Sequence, residues 1–195
     1  MAYNETSWVT SGTTAAVTSK GATLYAHFGT DATNSGDWDA DKHYPIPFFS
    51  NSLGTSLQED ITFGTSTEPA TTFTTADGTN TDSALLVPFM WYVPDNISID
   101  GITSIEGKQT SATATTRMHL FSYTFTSGST SALTSGTLIA HNSDVTNEGS
   151  EQVYLSTWTI DSASVAAGKV LLAFFRVDTA TDDYSISITV KYHLS

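Results

Sequence analysis

The stretch SALLVPFMWYVPDNISIDGITSIEG, residues 83–107, decides the fold. It opens with the densest apolar run in the chain, and Pro88 and Pro94 bracket the aromatic part of that run. Proline cannot donate to a sheet ladder, so each one predicts a strand end or a corner. From Ile97 onward, apolar and polar residues alternate until Gly101 breaks the phase. We therefore predict a buried strand, a proline-marked corner and a second strand with a bulge or bend at Gly101, both in the middle of an all-β core.

Two later segments have the same β character. Residues 170–175, VLLAFF, are apolar on both faces, which is typical of a strand buried on both sides. Residues 185–194 alternate between polar and apolar and predict a half-buried final strand. Residues 161–169 are the one candidate helical turn, with Gly168 at its end. About eight to ten strands without an internal repeat predict a sandwich or barrel, and a strand buried on both sides fits more easily in a two-sheet sandwich or at a subunit interface.

The composition agrees with a β-rich chain of one domain. The 195 residues include 34 Thr and 25 Ser, which suit half-exposed strands and turns. Only 14% of the residues are charged, whereas amphipathic helices usually carry many charges, so we expect few helices. There is no cysteine, which excludes disulfides, thiol catalysis and cysteine-ligated metals.

The net negative charge limits the kinds of partner that the chain can bind. Twenty acidic residues against seven basic ones give a formal charge of -13, which repels nucleic acids and anionic membranes. We therefore expect neither partner. No secretory signal and no membrane-spanning run is visible, so we expect a soluble chain made in the cytoplasm.

Residues 1–22 differ from the rest and predict a short N-terminal arm before a β-sandwich domain at 23–195. The arm is polar, with Tyr3, Trp8 and Val9 among its few apolar residues. One interpretation is a frayed terminus. The other is an anchor on a partner, in which Tyr3, Trp8 and Val9 make the contacts, because a buried aromatic side chain contributes much contact area.

An acidic loop follows the first predicted strand. Asp37, Asp39 and Asp41 have the spacing of a calcium loop. However, Lys42 stands where the tight turn needs glycine, and Phe48 stands where the bidentate glutamate belongs. We interpret the loop as a solvated acidic segment, and a calcium site of another kind stays the alternative.

The sequence shows no catalytic motif, and we predict no catalytic residue, no metal site and no cofactor. It lacks a nucleophile elbow, a phosphate-binding glycine loop and a zinc-protease motif. The five histidines are scattered; we expect His119 to be a satisfied structural histidine and His193 to lie on the surface. The chain is therefore predicted not to be an enzyme.

Carbohydrate binding would need an exposed aromatic platform beside polar loops. Trp91 and Trp158 lie in predicted strands and are expected in the core. Trp38 lies in the acidic loop, where it could serve as such a platform. A glycan on a host surface therefore stays an open partner.

Four segments resemble a known group of proteins. They are YPIPFF at 44–49, LVPF at 86–89, AGKVLLAFF at 167–175 and the alternating strand that follows Asp182, Asp183 and Tyr184. Their order is similar to that in small jelly-roll structural proteins of tailed bacteriophages, namely capsid decoration (cement) proteins and fibre-tip domains. The likeness covers residues 23–195 and concerns the pattern of the segments, with no catalytic residues attached to it.

The resemblance implies a two-sheet antiparallel jelly-roll sandwich, a homotrimer, and display on a virion after synthesis in the bacterial cytoplasm. A capsid decoration protein would bind the major capsid protein or another virion protein. A tail- or head-fibre tip would bind a host receptor or glycan. Residues 1–22 are too short for a fibre shaft, which favours the decoration protein. A trimer would also account for the two apolar faces of residues 170–175.

Overall fold

Twelve strands and one short helix make up the described part of the chain. The computed structural model describes residues 22–30, 39–48, 61–73, 83–109, 112–179 and 183–195. The strands are β1 Leu24–Thr30, β2 His43–Ile46, β3 Trp91–Tyr92, β4 Ile97–Lys108, β5 Ala112–Phe125, β6 Leu133–His141, β7 Val145–Glu148, β8 Gln152–Thr157, β9 Thr159–Ile160, β10 Ser164–Val165, β11 Lys169–Val177 and β12 Tyr184–Leu194. A 3-10 helix spans Ser83–Phe89.

The strands form two antiparallel sheets. Sheet A has the order β1-β12-β4, and both β8 and β10 pair with the far side of β4. Sheet B has the order β2-β11-β5-β6-β9, with β3 added to β11 and β7 added to β5. The two sheets pack face to face, so the predicted all-β, two-sheet sandwich is confirmed.

The connectivity is that of a jelly roll. Among the eight principal strands, the first pairs with the last, the second with the last but one, and so on inward. The pairs are β1 with β12, β2 with β11, β4 with β8, and β5 with β6. Each pair is antiparallel, as in a long hairpin that has been folded over and wound into two sheets. This is the eight-strand arrangement with two Greek keys that defines the jelly roll.

The core between the sheets comes from the alternation of the strands. In β12 the inward residues Tyr184, Ile186, Ile188 and Val190 are buried, which confirms the half-buried final strand. They face the inward residues of β11 within one apolar cluster. Two-residue periodicity thus places one side of each sheet in the core.

A second apolar cluster covers the outer face of sheet B. It contains Val170, Leu172 and Phe174 of β11, and it is closed by residues 61–73 and the 3-10 helix. The prediction that residues 170–175 are buried on both sides is confirmed. The cover comes from the same chain, so the two apolar faces no longer argue for a trimer.

The first part of the stretch at residues 83–107 forms a different local structure from the one expected. The 3-10 helix spans Ser83–Phe89, where we predicted a buried strand, and only Trp91–Tyr92 pairs as a strand. A short apolar run does not distinguish a strand from a buried helical segment, and Pro88 removes a donor that a ladder would need. The second strand and its bulge are confirmed, since the register shifts where Lys191 pairs with Gly101 and Tyr192 with Ile99.

The prediction of a helical turn at 161–169 is also wrong. This segment contains Ser164–Val165, which pairs with the start of β4, and then a turn at Gly168. Gly168 has a φ of 81°, which favours glycine because it has no Cβ. The glycine therefore turns the chain into β11 instead of ending a helix. The arm at 1–22 lies outside the described residues except for Ala22.

Two histidines are buried on the outer face of sheet B. His43 and His119 are fully buried, and their ring centroids lie 5.2 Å apart. His43 Nδ1 is 3.2 Å from the Gly64 carbonyl oxygen. Neither ring nitrogen of His119 has a hydrogen-bond partner among the described residues. His119 is therefore structural, as expected, but it is not satisfied.

The environment of these histidines keeps both rings neutral. Burial lowers the pKa of His43 to about 4 and the pKa of His119 to about 3. The guanidinium groups of Arg117 and Arg176 disfavour a further positive charge on either ring. An imidazole normally titrates near neutral pH, so folding prevents the two rings from binding protons in mild acid.

Stability should therefore fall in mild acid. Below about pH 6.5 the unfolded chain binds protons that the folded chain binds only near pH 4 and pH 3, so the free energy of unfolding decreases as the pH falls through this range. At about 1.4 kcal/mol per pKa unit, each histidine should cost about 2 kcal/mol between about pH 7.5 and pH 5. Urea unfolding at the two pH values measures this loss.

Two variants separate the contribution of the buried histidines to this loss from that of carboxyl groups that titrate in a neighbouring pH range. His119→Leu should remove about half of the loss. His193→Gln is the control, because the His193 ring is 34% exposed beside Asp100. An equal loss in the unmodified chain and in both variants would contradict the assignment.

Candidate functional site

The two ends of the sandwich differ in character. One end, the polar end, is formed by residues 107–109, 151–153 and 183–185, which surround a cleft of about 550 Å³. The opposite end, the apolar end, is formed by residues within 86–92 and 125–132. Neighbouring strands run antiparallel, so successive connections alternate between these ends.

A charged pair lies inside the sandwich behind the polar end. Beyond the bulge, β4 directs Ile102, Ser104, Glu106 and Lys108 inward. Glu106 is 1% exposed and Lys108 is 3% exposed, and Lys108 Nζ lies 3.5 Å from Glu106 Oε1. Charged side chains are rarely buried so completely unless they are paired. The inner face of β4 therefore changes along its length from apolar to ionic.

The Lys108 ammonium has several further contacts. It donates to the Val145 carbonyl oxygen at 2.6 Å, and it lies 3.5 Å from the Ala114 carbonyl oxygen. It also lies 5.3 Å from the centroid of the Tyr154 ring, which suits a cation–π contact. These contacts connect β4 of sheet A with β5 and β7 of sheet B. The ammonium thus fastens the two sheets together at this end.

Burial raises the pKa of the Glu106 carboxyl. The attraction of the Lys108 ammonium acts in the opposite direction. Lys108 lines the cleft, whereas Glu106 lies behind it and does not. The pair is therefore placed to hold the strands together, and only its ammonium side adjoins the cleft.

The cleft itself has mixed polar walls. Gln109, Gln152 and Ser185 line it together with the acidic residues Glu151 and Asp183. Two acidic side chains beside one ammonium give no excess of positive charge for an anionic ligand. The cleft is thus better suited to water or a polar neutral group than to a phosphate.

The apolar end carries a groove with exposed apolar side chains. A hollow of about 260 Å³ is lined by Val87, Met90, Tyr92, Phe125 and Val170. Tyr92 is 57% exposed. The adjoining turn at 126–130 adds threonine and serine side chains. An exposed ring beside hydroxyl groups is the combination that carbohydrate platforms use, since a pocket needs apolar area and a few polar groups.

A third exposed surface lies on the outer face of sheet A. Val153 and Leu155 of β8 are each 75% exposed, and Ile105 of β4 is 51% exposed. Leu155 is the cross-strand partner of Ile105. We call Ile105, Val153 and Leu155 the aliphatic patch. Single exposed apolar residues are common, but three at adjacent positions on one face indicate an interaction surface.

Several predicted site residues lie outside the described part of the chain. These residues are Tyr3, Trp8, Val9, Asp37 and Trp38. The partner-contact and glycan-platform predictions for them therefore stay predictions. In the rest of the acidic loop, the Asp39 carboxylate pairs with Lys42, and the Asp41 carboxylate pairs with Arg176. Both carboxylates thus have basic partners.

Other predicted residues lie where the sequence placed them. Trp91 is 7% exposed and Trp158 is 5% exposed, so both belong to the core. Trp158 Nε1 donates to Ser104 Oγ at 2.9 Å. His193 is partly exposed and lies 2.9 Å from an Asp100 carboxylate oxygen. The tryptophan and His193 predictions are confirmed.

The sequence reasoning missed the buried ion pair and the aliphatic patch. The alternation of Ile102, Ser104, Glu106 and Lys108 could have identified the pair, but charged residues at inward positions contradict the usual pattern. In β8, Val153 and Leu155 alternate with Tyr154 and Ser156, so the pattern does not tell which set faces the core.

Comparison with known proteins adds no relative. Neither protein-family models nor curated proteins match the sequence. Within the described residues, no group of three or more His, Asp or Glu side chains is placed to hold a metal ion. No helix in that part of the chain is long and apolar enough to cross a membrane.

The buried ion pair should contribute strongly to stability. Lys108→Met leaves the Glu106 carboxyl without its ionic partner and removes one of the two side-chain donors to the Val145 carbonyl oxygen, so it should cost about 3 kcal/mol. Adding Glu106→Leu should recover most of that loss, because an apolar pair avoids the desolvation of two charges. Urea unfolding at neutral pH measures the free energies.

Lys42→Met is the matched control. Its ion pair with Asp39 is exposed, so its loss should cost less than about 0.5 kcal/mol. A cost for Lys108→Met as small as that of the control would show that the pair does not hold the sheets together.

Proposed function

We propose that this chain is a non-enzymatic structural protein of a tailed-bacteriophage virion and that it decorates the capsid. Its partner would be the major capsid protein or another virion protein. The arm at 1–22, with Tyr3, Trp8 and Val9, would supply contacts to that partner, and the jelly-roll domain would stand on the particle surface.

The observation that carries this proposal is the place of the resembling segments in the jelly roll. Residues 44–46 lie in β2, residues 169–175 lie in β11, and the alternating last segment is β12. β2 and β11 are neighbours in sheet B, and β12 is central to sheet A. Three of the four segments thus belong to the frame of a fold that viral capsid proteins use, whereas residues 86–89 lie in the 3-10 helix. The fold alone does not fix a function.

The surface chemistry supports a role in assembly. The chain carries a charge of -13, which keeps it soluble at high concentration. The aliphatic patch nevertheless leaves apolar area exposed on an ordered sheet. An exposed patch of this kind suits contact with another protein.

Cryo-electron microscopy of the native particle that contains this chain tests the proposal. We expect density in repeated units across the capsid, with residues 1–22 against the shell protein. Trp8→Ala should reduce the number of bound copies because it removes the largest apolar anchor of the arm. Tyr25→Ala, at an exposed position on β1, should not. Density confined to the tail or its fibres would contradict capsid decoration.

A second candidate function is that of a fibre tip that binds a host receptor or glycan. The groove at the apolar end favours it, since Tyr92 exposes more than half of its surface beside the hydroxyl-bearing turn at 126–130. In this case Tyr92→Ala should reduce adsorption to host cells, whereas Val153→Ala should not. Unchanged adsorption with Tyr92→Ala would remove this groove as the receptor site.

A further inference from the structure

Strand β8 is an edge strand without the features that usually keep edges apart. Among the described residues it pairs with β4 and with no other strand, so half of its backbone polar groups point away from the sheet. Its sequence, QVYLST, has no charge and no proline, and its register with β4 contains no bulge. Such an edge is open to pairing with another strand.

The opposite edge of sheet A is covered. Phe28 of β1 forms a bridge with Phe48, and the Gly29 amide donates to the Pro47 carbonyl oxygen at 2.9 Å. These contacts occupy backbone groups that β1 would need for another strand. Within the described residues, β8 is therefore the more accessible long edge of this sheet.

The middle of the face beside this edge is uncharged. Ile105, Val153 and Leu155 have hydroxyl-bearing neighbours on the same outer face, namely Thr103, Thr157, Ser185 and Ser187, and the acidic residues Glu151 and Asp183 lie only at its cleft end. In a chain with 20 acidic residues, none stands at these positions. Two copies with the same negative charge repel each other least where they meet through a face whose middle carries no charge. The patch meets this requirement for a second copy of the chain.

Strand β8 is also held in place by hydrogen bonds of its inward side chains. Its inward residues Tyr154 and Gln152 are half-buried, and Tyr154 Oη donates to Asn147 Oδ1 at 3.0 Å. Tyr154 also hydrogen-bonds to the Gln152 side chain. An ordered edge loses little conformational entropy when it pairs, which favours binding.

We propose that two copies of this chain pair through β8 in antiparallel orientation. Sheet A then continues across a twofold axis. Identical edges can meet in this isologous way because each β8 offers the other the same unpaired groups. Val153 and Leu155 become cross-strand neighbours of the same residues in the partner, which buries part of the aliphatic patch. This twofold pair differs from the trimer that the phage resemblance implies, and it does not rest on the proposed function.

The interface is small, so we expect reversible association. One added strand with three apolar side chains per copy is at the low end of specific interfaces, which corresponds to a dissociation constant on the order of 10 μM. Sedimentation equilibrium of the full chain from about 1 μM to about 200 μM should therefore show monomers converting to dimers. A monomer at the highest concentration, or a trimer, would overturn the proposal.

Substitutions locate the interface. Leu155→Glu and Val153→Glu each place a charge against an apolar side chain of the partner and bring two like charges close to the twofold axis, so each should raise the dissociation constant at least tenfold. Both side chains are 75% exposed, so the melting temperature of the monomer should change little. Tyr25→Glu is the control, because Tyr25 is exposed on the opposite edge strand of the same sheet, and it should dimerise normally. Dimerisation that survives both β8 variants would place the interface elsewhere.

The arm is the competing occupant of this edge. A chain that lacks residues 1–21 should dimerise as the full chain does. If only the shortened chain dimerised, residues 1–21 would cover β8 in the full chain, and the pairing of two full copies would be refuted.

Discussion

The packing of β11 is the constraint on which the rest of the structure depends. Leu171, Ala173 and Phe175 face sheet A, while Val170, Leu172 and Phe174 face the cover formed by residues 61–73 and the 3-10 helix. Both sides of the strand also carry hydrogen-bonded neighbours, with β5 on one and β2 and β3 on the other. Full burial of one such large apolar side chain stabilises a protein by about 2 kcal/mol, so this strand contributes more than its length suggests.

The cover over β11 makes the two sheets unequal. The centre of sheet B, around β11, is buried on both faces. The outer face of sheet A is exposed at Ile105, Val153 and Leu155. Apolar residues on the outer face of sheet B, such as Phe174, are therefore core residues. Apolar residues on the outer face of sheet A, such as Leu155, stay available to a partner. An outward apolar residue is thus buried at the centre of sheet B and exposed on sheet A. The position of the cover decides which of the two applies.

The sequence predicted the regular part of the fold and missed what depends on distant contacts. The alternation at 185–194 and the apolar run at 170–175 identified β12 and β11, because two-residue periodicity is a local property. The run that begins at Ser83 was misread, since its 3-10 helix is stabilised by packing against sheet B. Likewise, Glu106 appears as an ordinary surface residue until Lys108 and the opposite sheet are placed around it. The exposure of Val153 depends on which face of β8 meets the core.

Hydrogen exchange measured residue by residue in native conditions tests the central role of β11 most directly. The account predicts that the amides of β11 exchange only through global unfolding, with the full denaturant dependence of that transition. Amides of β8 and β10, at the edge of sheet A, should exchange through smaller openings. If β11 exchanged through an opening that left β12 and β4 protected, the strand would not be the element that holds the sandwich and its cover together.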